Sequence, residues 1–515
     1  MFTFPLVGLQ SNSIYYFMKK LTLVWFKKDL RVSDNAALNE ASKDENSAAI
    51  YIHDPDVISG EDFSFYHLDF IKDSLLELEN NFKEKDSFLN IYHDKALNVF
   101  KKINESYSIE NIITHYETGN WIVHQRDRVI TDYCKQNSIK LIEYTSNGVI
   151  RDLEDRDGWS HLWNKEMNKE IIKVPNISGF IKLDSYSAND SFEKIKIKKK
   201  KYNKVFVGGE SHAIDTLHSF LNDRGNYYSK EMSSPVTADK SCSRLSSYLA
   251  YGNISIKQVL QETKKRQGFL RENKIRTGWL KSLSSFSSRL RWHCHFIQKL
   301  EMQPNLEFTN MVRAYDGLRE SYDSNAFTSW KEGSTGFPMI DACMRFLKSN
   351  GWINFRMRAM LVSFASYNLW IDWRVTSKYL SKYFIDYEPG IHYNQFQMQS
   401  GVTGMNAIRI YNPVKQQQDH DSEAKFVRKW VPELLNVPLE YIQYPHLLSE
   451  KMQKKVGCII GKHYPSPIVD LKISSLKAKK YIYDIRATQK AKLESKKAYI
   501  KHGSRRKSRN INLFK

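Results

Sequence analysis

The chain has 515 residues, 41% hydrophobic and 13% aromatic, enough apolar material for two or three packed domains and too much for a globally disordered polymer. No run of 18 apolar residues occurs, so a membrane-spanning helix is not expected, and a formal charge of +21 points to a polyanionic partner. Lys477 to Lys515 alone carries 14 Lys/Arg against two acids, and a second cluster spans Lys194 to Lys204. Runs of this kind also serve simply as solvated segments.

Residues 1–17 lack a basic start and a small-residue cleavage site, which argues against a secretory signal. They read as a disordered extension, with Met18 as an alternative start. From 18 to 150 the apolar runs 21–26, 47–52, 88–93, 111–116 and 140–145 read as buried strands, separated by helical patterns. That alternation predicts βαβ units and a parallel five-stranded sheet, a Rossmann-like α/β domain. Asp34 or Asn35 is placed to cap the first helix. No GxGxxG or Walker loop follows the first strand, so an ordinary dinucleotide or triphosphate site is not signalled. Residues 151–235 read as an interdomain connector on the surface, 236–475 as an all-α domain, and 476–515 as a basic tail, helical and then frayed. Five scattered cysteines without a CxxC pair imply reduced thiols and a cytoplasmic location, and no metal site is expected.

The chemistry gathers in four segments of the helical region. Lys240–Ser255 offers hydroxyls and an arginine ahead of a helix, as phosphates require. Ser288–Glu301 sets Trp292 beside His293 and His295. Trp330–Arg374 packs four tryptophans with Arg356 and Arg358, side chains able to stack on flat rings, grip phosphates and pass electrons. The fourth runs from Tyr383 to Pro413. Singly, each reads as a helix cap, core or loop.

In this order, with VWFKKDLRVSDNAAL at 24–38, the set resembles the photolyase/cryptochrome family from Met18 to about residue 470. The resemblance implies a helical domain holding FAD. Tyr228, Cys242, Ser243, Arg244, Leu245 and Ser246 match the pyrophosphate contacts, and Phe286, Asp386, Tyr387 and Glu388 also fall in the cofactor set. Arg358 matches an arginine paired with Asp386 beside the flavin ring, a pair suited to a reduced flavin's negative charge. Trp292 matches the tryptophan against a flipped-out pyrimidine dimer, and Arg356 a contact to the damaged strand. Arg289, His293, Phe355 and Met398 complete the expected DNA contacts. The implied activity is a carbon–carbon lyase: reduced FAD passes a light-driven electron to a cyclobutane pyrimidine dimer taken out of the DNA stack. A monomer is expected, and a cryptochrome-type photoreceptor is the second reading. A (6-4) photolyase brings a histidine pair in the segment matching 351–360, which here has none.

Several positions depart from the family pattern. Phe396 occupies the place of a flavin-proximal tryptophan, and phenylalanine is much harder to oxidise. Trp373 matches the middle tryptophan of the electron chain, with Tyr322 as the outer member and Trp370, one helical turn away, on another route. Arg289 stands where a dimer-contacting glutamate is usual, Phe355 where an asparagine is usual, and His392 where an asparagine faces flavin N5. Residues 117–128 lie where some members hold a folate, but the contacts do not match. The antenna chromophore therefore stays open among a pterin, a flavin derivative and none.

Overall fold

A computed structural model describes residues 18–275 and 277–505. The extension at 1–17 and the last ten residues of the basic tail lie outside the described residues. The N-terminal unit is a five-stranded sheet of β1 (Lys20–Phe26), β2 (Ser47–Ile52), β3 (Leu89–Tyr92), β4 (Ser108–His115) and β5 (Lys140–Tyr144). Its order is β3-β2-β1-β4-β5, every pairing parallel. The apolar runs are continuous because both faces are covered. Leu21, Leu23 and Trp25 enter a core on one face, while Val24 and Phe26 enter a larger core on the other that continues into the helical region. Asn35, not Asp34, caps the first helix, its side chain accepting from Leu38 N.

The turn after β1 explains the missing phosphate loop: the helical domain occupies its place. Arg31 Nη1 donates to the carbonyl of Gly252 at 2.9 Å. A Cβ on Gly252, at φ +67°, would lie 2.2 Å from the Lys28 carbonyl, so only glycine lets the two domains close here.

The segment 151–235 is more than a surface connector. It contains helices at Trp159–Met167, Ala188–Glu193 and Glu210–Ser219, and a π-turn at Phe220–Arg224. Trp159, Trp163, Phe206 and Phe220 anchor it by burial. The lysine cluster is partly engaged, with Lys204 bridging Asp69 and Asp73 at 2.9 and 2.8 Å.

Beyond it the chain is helical. The longest helix among the described residues, Trp279–Met302, packs against Pro389–Gln399. A Cβ on Gly390 would stand 2.5 Å from Ile297 Cα, so the two backbones are in direct contact. The basic tail is a packed hairpin of helices, Leu471–Ala487 and Gln489–His502, seated through Ala478, Ile482, Ala491 and Ala498. Its first helix starts ahead of the expected boundary at 476, because Asp470 caps it by accepting from Ile473 N.

Candidate active site

One large cavity, about 1270 Å³, opens among the helices of the C-terminal domain. That exceeds the roughly 300–1,000 Å³ of an ordinary small-molecule pocket, leaving room for a large cofactor and a second ligand. Its walls follow helical periodicity. Arg289, Trp292, His293 and Phe296 fall on one face of Trp279–Met302, and His392, Gln395, Phe396 and Gln399 on one face of Pro389–Gln399. The helix Phe355–Ser363 contributes Phe355, Arg356 and Arg358.

At one end Cys242, Ser243, Arg244 and Ser246 form a polar cradle with Tyr228. Arg224 donates to the carbonyls of Cys242 and Ser243, which fixes the turn and consumes its acceptors. Arg244, at φ +62°, lies over the Trp352 ring at 4.4 Å and pairs with Asp239, and its buried Nε has no partner among the described residues. Hydroxyls and an orphaned guanidinium N–H form a donor set for a diphosphate. Burial pushes the thiol of Cys242 up to about 12, so it is neutral there.

Elsewhere on the wall Arg358 forks onto Asp386, Nη1 to Oδ1 at 3.0 Å and Nη2 to Oδ2 at 2.8 Å. Its Nε donates to the Ile353 carbonyl at 2.6 Å, which orients the fork. Glu388 is buried, with Lys28 Nζ 3.9 Å away, and burial raises its carboxyl to about 7. A buried acceptor of that kind suits a hydroxyl-rich ribose. His392 donates from Nε2 to the Ser377 carbonyl at 3.0 Å, and burial lowers it to about 4, so it is neutral at physiological pH. His293 is lowered to about 4 by the same cause. These residues fit FAD: diphosphate donors, a fixed ion pair, and aromatic and aliphatic walls around one cavity.

Not every expected residue reaches the cavity. Leu245 is wholly buried in the core, because the turn points its side chain away from the cradle. Phe286 packs edge-on against Phe220 and Tyr228 at 4.7 and 6.0 Å, behind the wall. Tyr387 faces the opposite side, its hydroxyl 2.7 Å from Asp62 and 2.9 Å from Tyr393, because it closes the turn through Ile385 and Asp386 by donating its N–H to the Phe384 carbonyl. There it lines a smaller cavity of about 100 Å³ at the ends of β1 and β2, with Glu117, Gly119 and Asn120 of the 117–128 segment.

Trp373 is fully buried outside the cavity, donating to Asn310 at 2.8 Å and lying 6.5 Å from Tyr393. Phe396 does line it, 4.3 Å from His392. Trp370 is not a helical turn from Trp373, since the helix begins at Trp373 and Trp370 sits in a turn at φ +57°. It is held between Arg319 and Tyr481 at 4.6 and 5.5 Å. Tyr322 is exposed and packs on Phe327.

Phe355, Arg289, Arg356, Arg409 and Lys415 line the cavity toward solvent, giving it a basic rim with an exposed aromatic ring. The wall formed by 405–416 and 499–504 was outside the sequence-based set, although 405–413 lies within the fourth segment.

Two family models match in tandem: "DNA photolyase" over residues 22–156, the sheet domain, and "FAD binding domain of DNA photolyase" over 286–484, which carries most of the cavity. The chain belongs to the photolyase/cryptochrome family. Relatives of this family include a deoxyribodipyrimidine photo-lyase of Alkalihalophilus pseudofirmus, 28% identical over 87% of this chain and 95% of its own. A cryptochrome DASH of Synechocystis is 27% identical over the same shares. Among solved structures, a class III photolyase of Agrobacterium tumefaciens has the same fold at TM-score 0.80 and 23% identity, covering 93% of this chain and 100% of that one. Among the described residues no helix is long and apolar enough to cross a membrane, and no cluster of three or more His, Cys, Asp or Glu could hold a metal.

Proposed function

We propose that this family member is a light-driven DNA repair enzyme that splits cyclobutane pyrimidine dimers, working as a monomer. The observation that carries the reading is the cavity itself: beyond the cradle and the Arg358–Asp386 pair it keeps space under a basic, aromatic rim. Reduced FAD bound there would supply a light-released electron that opens the cyclobutane ring and then returns.

The chain's own residues bind, orient and exclude water. Ser243, Ser246 and Arg244 hold the diphosphate. Asp386, fixed by Arg358, and the neutral His392 keep the polar edge of the flavin site at constant geometry. Trp292, half-buried on the wall, supplies a face for a flipped-out pair of adjacent, linked pyrimidines, with Met398 lining the same cavity. Arg356 and Arg289 neutralise the damaged strand, and exposed Phe355 stands where a side chain could hold the gap left in the duplex. No proton transfer by the protein is required.

The second reading, a cryptochrome-type photoreceptor, draws on cryptochrome relatives at nearly the same identity. Five free cysteines fit a reducing, cytoplasmic setting. The smaller cavity is the place we assign to an antenna chromophore; at about 100 Å³ it must widen to admit one. Illuminating the reduced, FAD-loaded protein with a thymine-dimer oligonucleotide separates the readings: repair is expected here, and absence of repair favours signalling.

A further inference from the structure

Four basic side chains meet at the cavity wall, three lining it and Arg156 directly behind, without a counter-charge among the described residues. His295 and Lys299 stand one turn apart on Trp279–Met302, Arg156 comes from the loop after the sheet domain, and His502 ends the last helix. They are 5%, 7%, 3% and 0% exposed, yet His295, Lys299 and His502 line the cavity. Arg156 lies flat on the Trp159 ring at 4.0 Å and donates from Nη2 to His295 Nδ1 at 2.8 Å. Its Nε and Nη1 are buried with no partner among the described residues. His502 donates from Nε2 to Gln303 at 2.8 Å, and its Nδ1 is likewise unpartnered. Among the described residues Lys299 has only the Phe296 ring, 5.3 Å away.

Among the described residues no carboxylate offsets these charges. Asp157, adjacent in sequence, is held at the surface by Arg505 at 2.5 Å. The groups depress one another instead. Burial, and then the Arg156 charge, lowers Lys299 to about 7, while burial, Lys299, Lys501 and Arg156 lower His502 to about 2. Burial and then Arg505 lower Arg156 to about 9. His295 is driven well down, and the Cys294 thiol facing Arg156 stays neutral. Buried cations without partners destabilise a fold, and neutral side chains would fill the space better. Unpaired Arg156 N–H groups and the Lys299 amine converge from two chain segments on a His502 ring nitrogen that becomes a donor once protonated, an arrangement that suits an anion site.

We propose that Arg156, Lys299 and His502 form an oxyanion subsite on the cavity wall that takes a phosphoryl group. Several donors approaching from different directions suit a tetrahedral, multiply charged anion better than a planar carboxylate. His295, its Nδ1 occupied by Arg156, keeps its ring proton on Nε2 and acts as a positioning residue. The His502 helix lies outside the residues matched by either family model, whereas Arg156, His295 and Lys299 lie within them, so the subsite borders the cavity already described. Phosphate binding needs neither light nor a lesion and is tested apart from repair activity. The phosphoryl group comes either from a DNA backbone or from free phosphate and small phosphorylated molecules. Binding recharges Lys299 and protonates His502 at Nδ1, so it takes up protons.

The test is calorimetric titration of the FAD-loaded full chain with inorganic phosphate at low ionic strength, in two buffers of different ionisation enthalpy. One saturable site with proton uptake is expected, weakened about tenfold or more in Arg156→Gln and in Lys299→Met, as loss of a charge-assisted donor implies. Lys299→Met should also melt higher than the parent protein in phosphate-free buffer, and phosphate should raise the melting temperature of the parent protein only. An undamaged single-stranded oligonucleotide that displaces phosphate identifies the backbone as the source, while phosphate retained beside the oligonucleotide identifies the free ion. Either result supports the site. Absence of saturable binding, equal affinity in both variants, or equal phosphate stabilisation of parent and variant would overturn it.

Discussion

Replacing Arg358 with methionine tests whether the Arg358–Asp386 fork organises the flavin end of the cavity. The substitution removes two hydrogen bonds to Asp386, at 3.0 and 2.8 Å, and the 2.6 Å bond to Ile353. It leaves an Asp386 side chain that is only 4% exposed. An exposed ion pair contributes about 0–1 kcal/mol, whereas stranding one member of a buried pair costs about 3–5 kcal/mol. Arg358 itself is 23% exposed, which places the expected loss near the lower end, about 3 kcal/mol. For a domain of this size that lowers the melting temperature by roughly 6–12 °C. The assay is the temperature at which the FAD-loaded protein releases flavin fluorescence, measured for Arg358→Met, Asp386→Asn and the double variant. Removing the stranded charge should make the double variant more stable than the sum of the single losses, with a coupling of about 2 kcal/mol. A shift below about 2 °C in Arg358→Met, or strict additivity, would refute the reasoning.

Three further outcomes are expected. Gly390→Ala forces a Cβ against Ile297 Cα, so the two walls must part, at a cost of about 1–3 kcal/mol and with weaker FAD retention on gel filtration; unchanged stability would mean the contact is not tight. Burial raises Glu307 to about 7, so its folded carboxyl keeps a proton that the unfolded chain gives up near pH 4.5, and its destabilisation grows as pH rises between those values. Glu307→Gln should therefore match the parent protein at pH 4.5 and melt higher at pH 8, by about 1–2 kcal/mol given its half-buried position; a gain largest in acid would contradict this. Phe396→Trp places an oxidisable ring on the cavity wall and should speed photoreduction of oxidised FAD, followed by flavin absorbance under blue light, whereas an unchanged rate would mean electrons already arrive by another route.

The sheet domain was legible because burial on both faces writes each strand as an apolar run, and all five runs became strands within a few residues of their expected ends. Arg358, Asp386, Trp292 and the Ser243–Arg244 turn were legible through motif order, and the structure brings them around one cavity. The side on which Tyr387 falls was not legible, because it is set by the turn through Ile385 and Asp386, which residue types alone do not announce. Leu245 and Phe286 were misplaced for the same reason: a motif locates a segment, while side-chain direction comes from the turn or helix that carries it. The Arg156–His295–His502 cluster joins residues 139 or more positions apart and carries no local spacing signal. The tail's charge concealed a folded hairpin, since among its buried positions only Ile482 is a large apolar residue, the others being Ala478, Ala491, Ser495, Ala498 and His502.

The most direct test of the account is repair under light. The FAD-loaded protein, reduced and mixed with an oligonucleotide carrying one cyclobutane thymine dimer, is illuminated with blue or near-UV light and the restored thymines are counted against a dark control. Light-dependent restoration is predicted, and it should fall steeply in Trp292→Ala. No restoration on either single- or double-stranded substrate would contradict the central claim.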